Sequence, residues 1–182
     1  MQIVLMRHGH DIGSPNGDRV LSKRGREHVS QTAQHLHRLG IPSFEVALCS
    51  PSIRAQQTLD VFRDSLPCLS PVATESLSPD SDVLSLLGEF ESLLAQNVLR
   101  CLVVGHEPQL SNTILGICGQ GIHADLSSAP PLTISRGAAA FLDWRIDEPA
   151  ELDDVLIVSG PKHSFARSTQ GRPATASSFL NA

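Results

Sequence analysis

Residues 2–10, Gln2-Ile3-Val4-Leu5-Met6-Arg7-His8-Gly9-His10, set four apolar side chains directly before a cation, an imidazole and a glycine. An apolar run this short, with no polar alternation, reads as a strand buried on both faces. Two later segments are built the same way. Phe44 to Cys49 stops at Ser50-Pro51, and Leu99 to Val104 stops at Gly105-His106. Helical patterns fill the gaps between them. Ser22 is placed to cap a helix carrying Val29, Ala33, Leu36 and Leu39 on one face, with Gly40 as its stop. Pro51 fits the first turn of a second helix bearing Arg54, Leu59, Phe62 and Leu66. Residues 80–96 predict a third, capped by Asp80 or Asp82, with a stripe of Val83, Leu84, Leu87, Phe90 and Leu94. Pro108 opens a fourth, with Leu110, Ile114 and Ile117 inward. Strands alternating with helices predict an α/β sandwich around a mostly parallel sheet.

Other segments give weaker signals. Residues 11–20 are rich in Gly, Pro, Asn and Asp and predict a loop. Val72-Ala73 predicts a short strand. Leu132 to Ile134 and Ala138 to Trp144 predict a final strand pair joined at Arg136-Gly137, while Asp153 to Val158 fits strand and helix equally. One domain is expected over residues 1–159. The Ser-, Thr-, Ala- and Pro-rich residues 160–182 are expected to form a partly mobile extension.

Composition excludes several function classes. The net charge is −5, and there are one Trp, six Phe and no Tyr, so neither a general nucleic-acid binder nor a base-stacking platform is expected. No apolar run reaches the length of a membrane span and no signal peptide is legible, so a cytoplasmic protein with no membrane partner is expected. Cys49, Cys68, Cys101 and Cys118 lie in or beside apolar stretches without a CxxC pair, which predicts buried thiols rather than disulfides. His35 and His37 do not share a helix face, and no Cys/His cluster is present, so no metal and no cofactor are expected. A monomer is the default expectation.

The chemistry lies at the three strand ends. Ligands of open parallel sheets bind beyond the carboxyl ends of the strands. Parallel strands would gather Arg7, His8, Arg54 and His106 at one edge, joined there by two helix N-termini. Arginine offers planar paired donors that match phosphate oxygens, and a neutral imidazole can be a covalent nucleophile. Neighbouring guanidinium groups disfavour protonation of that imidazole and stabilise charge on a transferring phosphoryl group.

The same residues carry a resemblance. Arg7-His8-Gly9 resembles the RHG signature of the histidine phosphatase superfamily, which includes the cofactor-dependent phosphoglycerate mutases. Ser50-Pro51-Ser52-Ile53-Arg54-Ala55-Gln56-Gln57-Thr58 is similar to its SPxxRAxQT segment, Gly105-His106-Glu107-Pro108 to its second-histidine segment, and Leu21-Ser22-Lys23-Arg24-Gly25 to the start of its first helix. The four motifs occur in order across residues 1–145, and the short chain looks most like the SixA-type phosphohistidine phosphatases. The resemblance implies a phosphoglycerate mutase-like three-layer fold with helices on both faces. It implies that His8 accepts the phosphoryl group while Arg7, Arg54 and His106 bind its oxygens. The partner would be a phosphohistidine-bearing protein of a phosphorelay or phosphotransfer system.

The chain departs from the larger members where they carry an acidic residue. The corresponding stretch reads Thr74-Glu75-Ser76-Leu77-Ser78-Pro79-Asp80, and Pro79 falls near the acid position. Glu75 and Asp80 are neighbouring candidates for a general acid. A phosphoramidate nitrogen can leave already protonated, so an absent acid is consistent with a phosphohistidine substrate. The alternatives are a phosphatase of a small phosphorylated metabolite and a non-catalytic phosphate-binding module; binding alone would not demand His8.

Overall fold

The computed structural model describes residues 1–119, 132–144 and 155–165. In chain order these form β1 (Gln2–Arg7), β2 (Asp11–Gly13), β3 (Arg19–Leu21), α1 (Lys23–Arg38), β4 (Phe44–Cys49), α2 (Ile53–Arg63), β5 (Cys68–Ala73), a 3₁₀ turn (Glu75–Leu77), α3 (Val83–Ala95), β6 (Arg100–Gly105), α4 (Gln109–Ile117), β7 (Ala139–Asp143), β8 (Leu156–Ser159) and β9 (Lys162–Phe165). Seven strands make one sheet in the order β5-β4-β6-β1-β7-β8-β9, and β2 pairs with β3 alone. The β5-β4-β6-β1 half is parallel, and β7, β8 and β9 add antiparallel steps.

Alternate residues of each central strand serve opposite faces, as a pleat requires. Ile3, Leu5, Cys101 and Val103 pack with Leu86, Phe90, Leu110 and Ile114 of α3 and α4. Val4, Met6, Leu102 and Val104 pack with Val29, Leu36, Leu59 and Phe62 of α1 and α2. With helices on both faces, β1 and β6 have no solvent side, which explains their unbroken apolar runs. The expected α/β/α sandwich is the observed architecture.

Several local expectations change. Residues 11–20 hold the β2–β3 hairpin rather than an irregular loop. The strand predicted at Val72-Ala73 runs from Cys68 and is exposed beyond its first residue, so an apolar pattern could not reveal it. Leu132 to Ile134 forms no strand. The β7 strand it would pair with has β1 on one edge and β8 on the other, and the Ile134 backbone instead bonds to the side chains of Arg7 and Glu107. The ambiguous segment resolves as β8, with residues 153–154 outside the described set. The β8–β9 hairpin pairs Ser159 with Lys162, so the domain continues past the expected boundary at 159, to at least Phe165. Residues 166–182 lie outside the described set.

Ser22 caps α1 by accepting the Gly25 amide at 3.0 Å. Gly25 has a second duty: a Cβ there would lie 2.3 Å from the His10 carbonyl oxygen and 2.9 Å from the His10 nitrogen. This close approach seats the helix start on the segment that follows His8. Gly88, inside α3, has nothing within 4 Å of such a Cβ. Gly25→Ala is therefore expected to destabilise the fold by roughly 1–3 kcal/mol, because backbone must shift. Gly88→Ala is expected to stabilise it by about 0.5–1 kcal/mol. Urea unfolding of both variants checks the pair.

Candidate active site

The order β4-β6-β1 sets the geometry. Parallel register aligns Cys49 with Val104 and Arg7 with Gly105, so three neighbouring strands end at one level. The Ser50 amide donates to Val104 and the His8 amide to Gly105, extending both ladders by a step. Because β6 is central, His106 stands between Ser50 on one side and His8 on the other. The His8 and His106 ring centroids are 5.0 Å apart.

His8 is buried, and its Nδ1–H donates to the Gly9 carbonyl at 2.8 Å. That bond leaves the Nε2 lone pair unprotonated, where it accepts from Arg54 Nε at 3.3 Å. Arg54 Nη2 reaches His106 Nδ1 at 3.4 Å. A guanidinium only donates, so the His106 proton resides on Nε2, 2.9 Å from Ser50 Oγ and 3.2 Å from Ser52 Oγ. Arg54 thus bridges both imidazoles from the uncapped first turn of α2. One turn later, Thr58 Oγ1 accepts the Gly9 amide at 3.0 Å and donates to the Arg54 carbonyl at 2.7 Å. Gln57 Oε1 accepts the Leu21 amide at 2.7 Å. The RAxQT pattern is therefore one residue that bridges the two imidazoles followed by two that fasten the neighbouring loops.

Arg7 donates through Nη1 to the Ile134 carbonyl at 3.1 Å, and its Nε is buried without a hydrogen-bond partner among the described residues. Glu107 accepts the Ile134 amide at 2.7 Å and the Ser111 hydroxyl at 2.7 Å, so it anchors the loop that carries Arg7's acceptor. His10 is exposed, with Nδ1 2.9 Å from Ser22 Oγ. Glu75 is exposed and accepts the Ser78 hydroxyl, and Asp80 is exposed in the following turn; neither makes a hydrogen bond or ion pair to His8, Arg54 or His106 among the described residues.

The structure adds a residue that the sequence does not single out, Asp11. Its side chain is 2% exposed and ion-pairs with Arg19 Nε at 2.5 Å, Arg136 Nη1 at 3.3 Å and Arg54 Nε at 4.0 Å. An acid beside a basic residue in a polar loop is a weak signal, and no local pattern brings residue 136 to residue 11.

Burial pushes His8 down to about 4, Arg54 and Arg7 act in the same direction, and the Gly9 carbonyl opposes them. Burial, then His8, Arg54 and Arg7, push His106 down to about 4 as well. Both rings are therefore neutral near pH 7. Burial would raise Asp11, but the Arg19 hydrogen bond and the charges of His8, Arg136 and Arg19 outweigh it and hold the carboxyl below its ordinary value.

These shifts have a pH consequence. An unfolded histidine takes up its proton near 6.5, whereas these two refuse it until about 4. Between those values the unfolded chain binds more protons, so stability is expected to fall by several kcal/mol as pH drops from 6.5 to 4, with no further loss from these rings below that. Urea midpoints at pH 7 and 4.5 measure it. The acid limb of kcat/KM is expected near 4 rather than 6.5.

Among the described residues no helix is long and apolar enough to cross a membrane, and no group of three or more His, Cys, Asp and Glu is placed to hold a metal. The four cysteines are buried as thiols, with Cys49 and Cys101 pushed up to about 12 and Cys68 to about 11, chiefly by burial.

Residues 3–78 match the model of the histidine phosphatase superfamily, branch 1. The chain is 30% identical to an uncharacterised protein of Picosynechococcus over 89% of this chain and 98% of that one. It is also 30% identical to the phosphohistidine phosphatase SixA of Escherichia coli K12, over 79% of this chain and 86% of SixA. The solved structure of the protein histidine phosphatase SixA complexed with tungstate superposes with a TM-score of 0.68 at 26% identity, covering 79% of this chain and 88% of that one. With SixA 30% identical over more than two thirds of both chains and the same fold, the chain belongs to the histidine phosphatase superfamily and is a SixA-like phosphatase.

Proposed function

We propose that this phosphatase hydrolyses phosphohistidine on proteins through a transient phosphohistidine at His8. The observation that carries the reading is the His8 Nε2 lone pair, held unprotonated by the Nδ1–H bond to Gly9 and facing Arg54. In the first step Nε2 attacks phosphorus and the substrate's nitrogen–phosphorus bond breaks. The leaving imidazole departs neutral because its other electron pair is already protonated. Water then attacks the phosphoryl group on His8, the new nitrogen–phosphorus bond breaks, and phosphate leaves. Arg7, Arg54 and His106 hold the phosphoryl oxygens and stabilise the charge that spreads over them in each transition state. The SixA structure that this fold matches is complexed with tungstate, a tetrahedral oxyanion of the size such a clamp accepts.

No carboxylate is asked to act. Glu75 and Asp80 stand in an exposed turn, which supports a substrate whose leaving group brings its own proton. The reading also places the protein in the cytoplasm, where buried thiols stay reduced. The test measures phosphate release from a phosphohistidine-bearing protein, a sugar phosphate and a phosphoserine peptide in parallel. The first is expected to be turned over at least about a hundredfold faster, with Glu75→Gln and Asp80→Asn each within about twofold of wild type. Activity is expected to persist in EDTA, because Arg7 and Arg54 supply the positive charge. Equal turnover of the sugar phosphate would overturn the substrate assignment in favour of a metabolite phosphatase. Phosphate binding with no turnover of any compound would make the protein a binding module.

A further inference from the structure

We infer that Arg19 and Arg136, tethered to the buried carboxylate of Asp11, form a second anion subsite beside the phosphoryl clamp, and that it reads a carboxylate flanking the phosphorylated residue of a protein substrate. The inference rests on the phosphatase reading above and specifies what that substrate carries next to its phosphoryl group.

The first support is placement. Arg54 Nε lies 3.3 Å from His8 Nε2 and 4.0 Å from Asp11 Oδ2, so one guanidinium joins the nucleophile to the Asp11 cluster. The Arg136 turn is fastened to the nucleophile's own backbone: the Gly137 amide donates to the carbonyls of both Arg7 and His8, at 3.1 Å each. Gly137 has φ +77°, which a side chain would strain, and a Cβ there would lie 2.9 Å from His28 Nδ1. His28 Nδ1 in turn donates to the Arg136 carbonyl at 3.0 Å. Arg19 is fixed from the other side by the β2–β3 pairing, which the Leu21 amide fastens to Gln57 of α2.

The second support is exposure. Asp11 is 2% exposed, whereas Arg19 and Arg136 keep 52% and 43% of their side-chain surface in solvent. Each turns one nitrogen inward to Asp11 and makes no other side-chain hydrogen bond among the described residues. Two arginines serving only to neutralise one carboxylate would be one cation too many. Asp11 instead holds two long, flexible side chains in fixed positions, which lowers the ordering entropy a ligand must otherwise overcome.

The third support is charge. The chain carries −5, yet Arg7, Arg19, Arg54 and Arg136 gather around Asp11 and His8. A phosphoryl dianion matches Arg7 and Arg54. Asp11 offsets one of the remaining two, leaving one positive charge at the rim. A single carboxylate matches that remainder, and the planar fork of arginine matches carboxylate geometry.

The experiment compares two phosphohistidine peptides that differ only in an acidic residue beside the phosphohistidine, Asp in one and Asn in the other. Wild type is expected to favour the acidic peptide roughly tenfold in kcat/KM, through KM, with the preference shrinking as salt is raised. Arg19→Gln and Arg136→Gln are each expected to lower that ratio about threefold or more, and the double variant to bring it close to one. A variant that merely disturbs the fold slows both peptides and leaves the ratio intact. A wild-type ratio near one, or an unchanged ratio in the double variant, overturns the subsite. If neither peptide is hydrolysed, the phosphohistidine reading fails separately. The rim is then measured by calorimetry with phosphoglycolate against methyl phosphate on wild type and on the double variant. Preference for phosphoglycolate that the double variant loses supports the subsite, and equal loss for both ligands overturns it.

Discussion

His8→Ala is expected to lower phosphohistidine turnover by about 10⁴-fold or more, to the background of the assay. The variant removes the atom proposed to accept the phosphoryl group, while Arg7, Arg54 and His106 are expected to stay in place. Phosphate binding should therefore survive the loss of turnover, which calorimetry can show. The covalent step can be seen directly. In a rapid quench with radiolabelled substrate, wild type should carry transient label that is acid-labile and base-stable, as a phosphoramidate is, and His8→Ala should carry none. Folding is not expected to fail, because the change deletes a buried neutral ring and leaves one carbonyl, that of Gly9, without its partner, a cost of about 1–3 kcal/mol. The variant should also lose part of the acid sensitivity of the fold, since one of the two rings that resist protonation is gone. Wild-type turnover in His8→Ala would sink the nucleophile assignment.

Arg54→Ala carries the second largest expected effect, a loss of about 10³-fold in kcat/KM, comparable to removing an arginine that stabilises a transferring phosphoryl group elsewhere. Arg54 touches both imidazoles and faces Asp11 at 4.0 Å, so its removal takes positive charge from the reacting group and frees His8 at once. Arg54→Lys is expected to restore little, because one ammonium cannot span His8 Nε2 and His106 Nδ1 as a guanidinium does. Its charge also helps hold His8 down to about 4, so the acid limb of Arg54→Ala should move to higher pH. A loss below tenfold, or an unmoved acid limb, would show that Arg54 is not the bridge this geometry makes it.

Much of this site is legible in the amino-acid sequence. Arg7, His8, Arg54 and His106 each stand at or just beyond the end of an apolar run, and such runs mark strands buried on both faces. Once those strands are parallel neighbours, their ends must meet. Glu107 fits two readings from its local sequence, an acid in the site or a partner of its helix. The fold gives it a third role, as the anchor of the Ile134 amide, because residue 134 lies far along the chain and nothing local predicts the contact. β5 is only partly legible because an exposed edge strand carries no apolar pattern.

Composition and periodicity by themselves determined the α/β sandwich and the four helices, and motif order singled out four candidate site residues, since each depends on side chains close together in sequence. Tertiary structure alone decided the rest. The His8 tautomer follows from the Gly9 carbonyl at Nδ1, in a segment whose Gly9 amide is held by Thr58 of α2. The β8–β9 hairpin extends the sheet past residue 159. Arg136 reaches the Asp11–Arg19 pair of the β2–β3 hairpin because the Gly137 amide is hydrogen-bonded to the carbonyls of Arg7 and His8. Local sequence records which surface a segment will bury; which distant charges then face one another depends on strand order and turn geometry, which no short stretch of this chain contains.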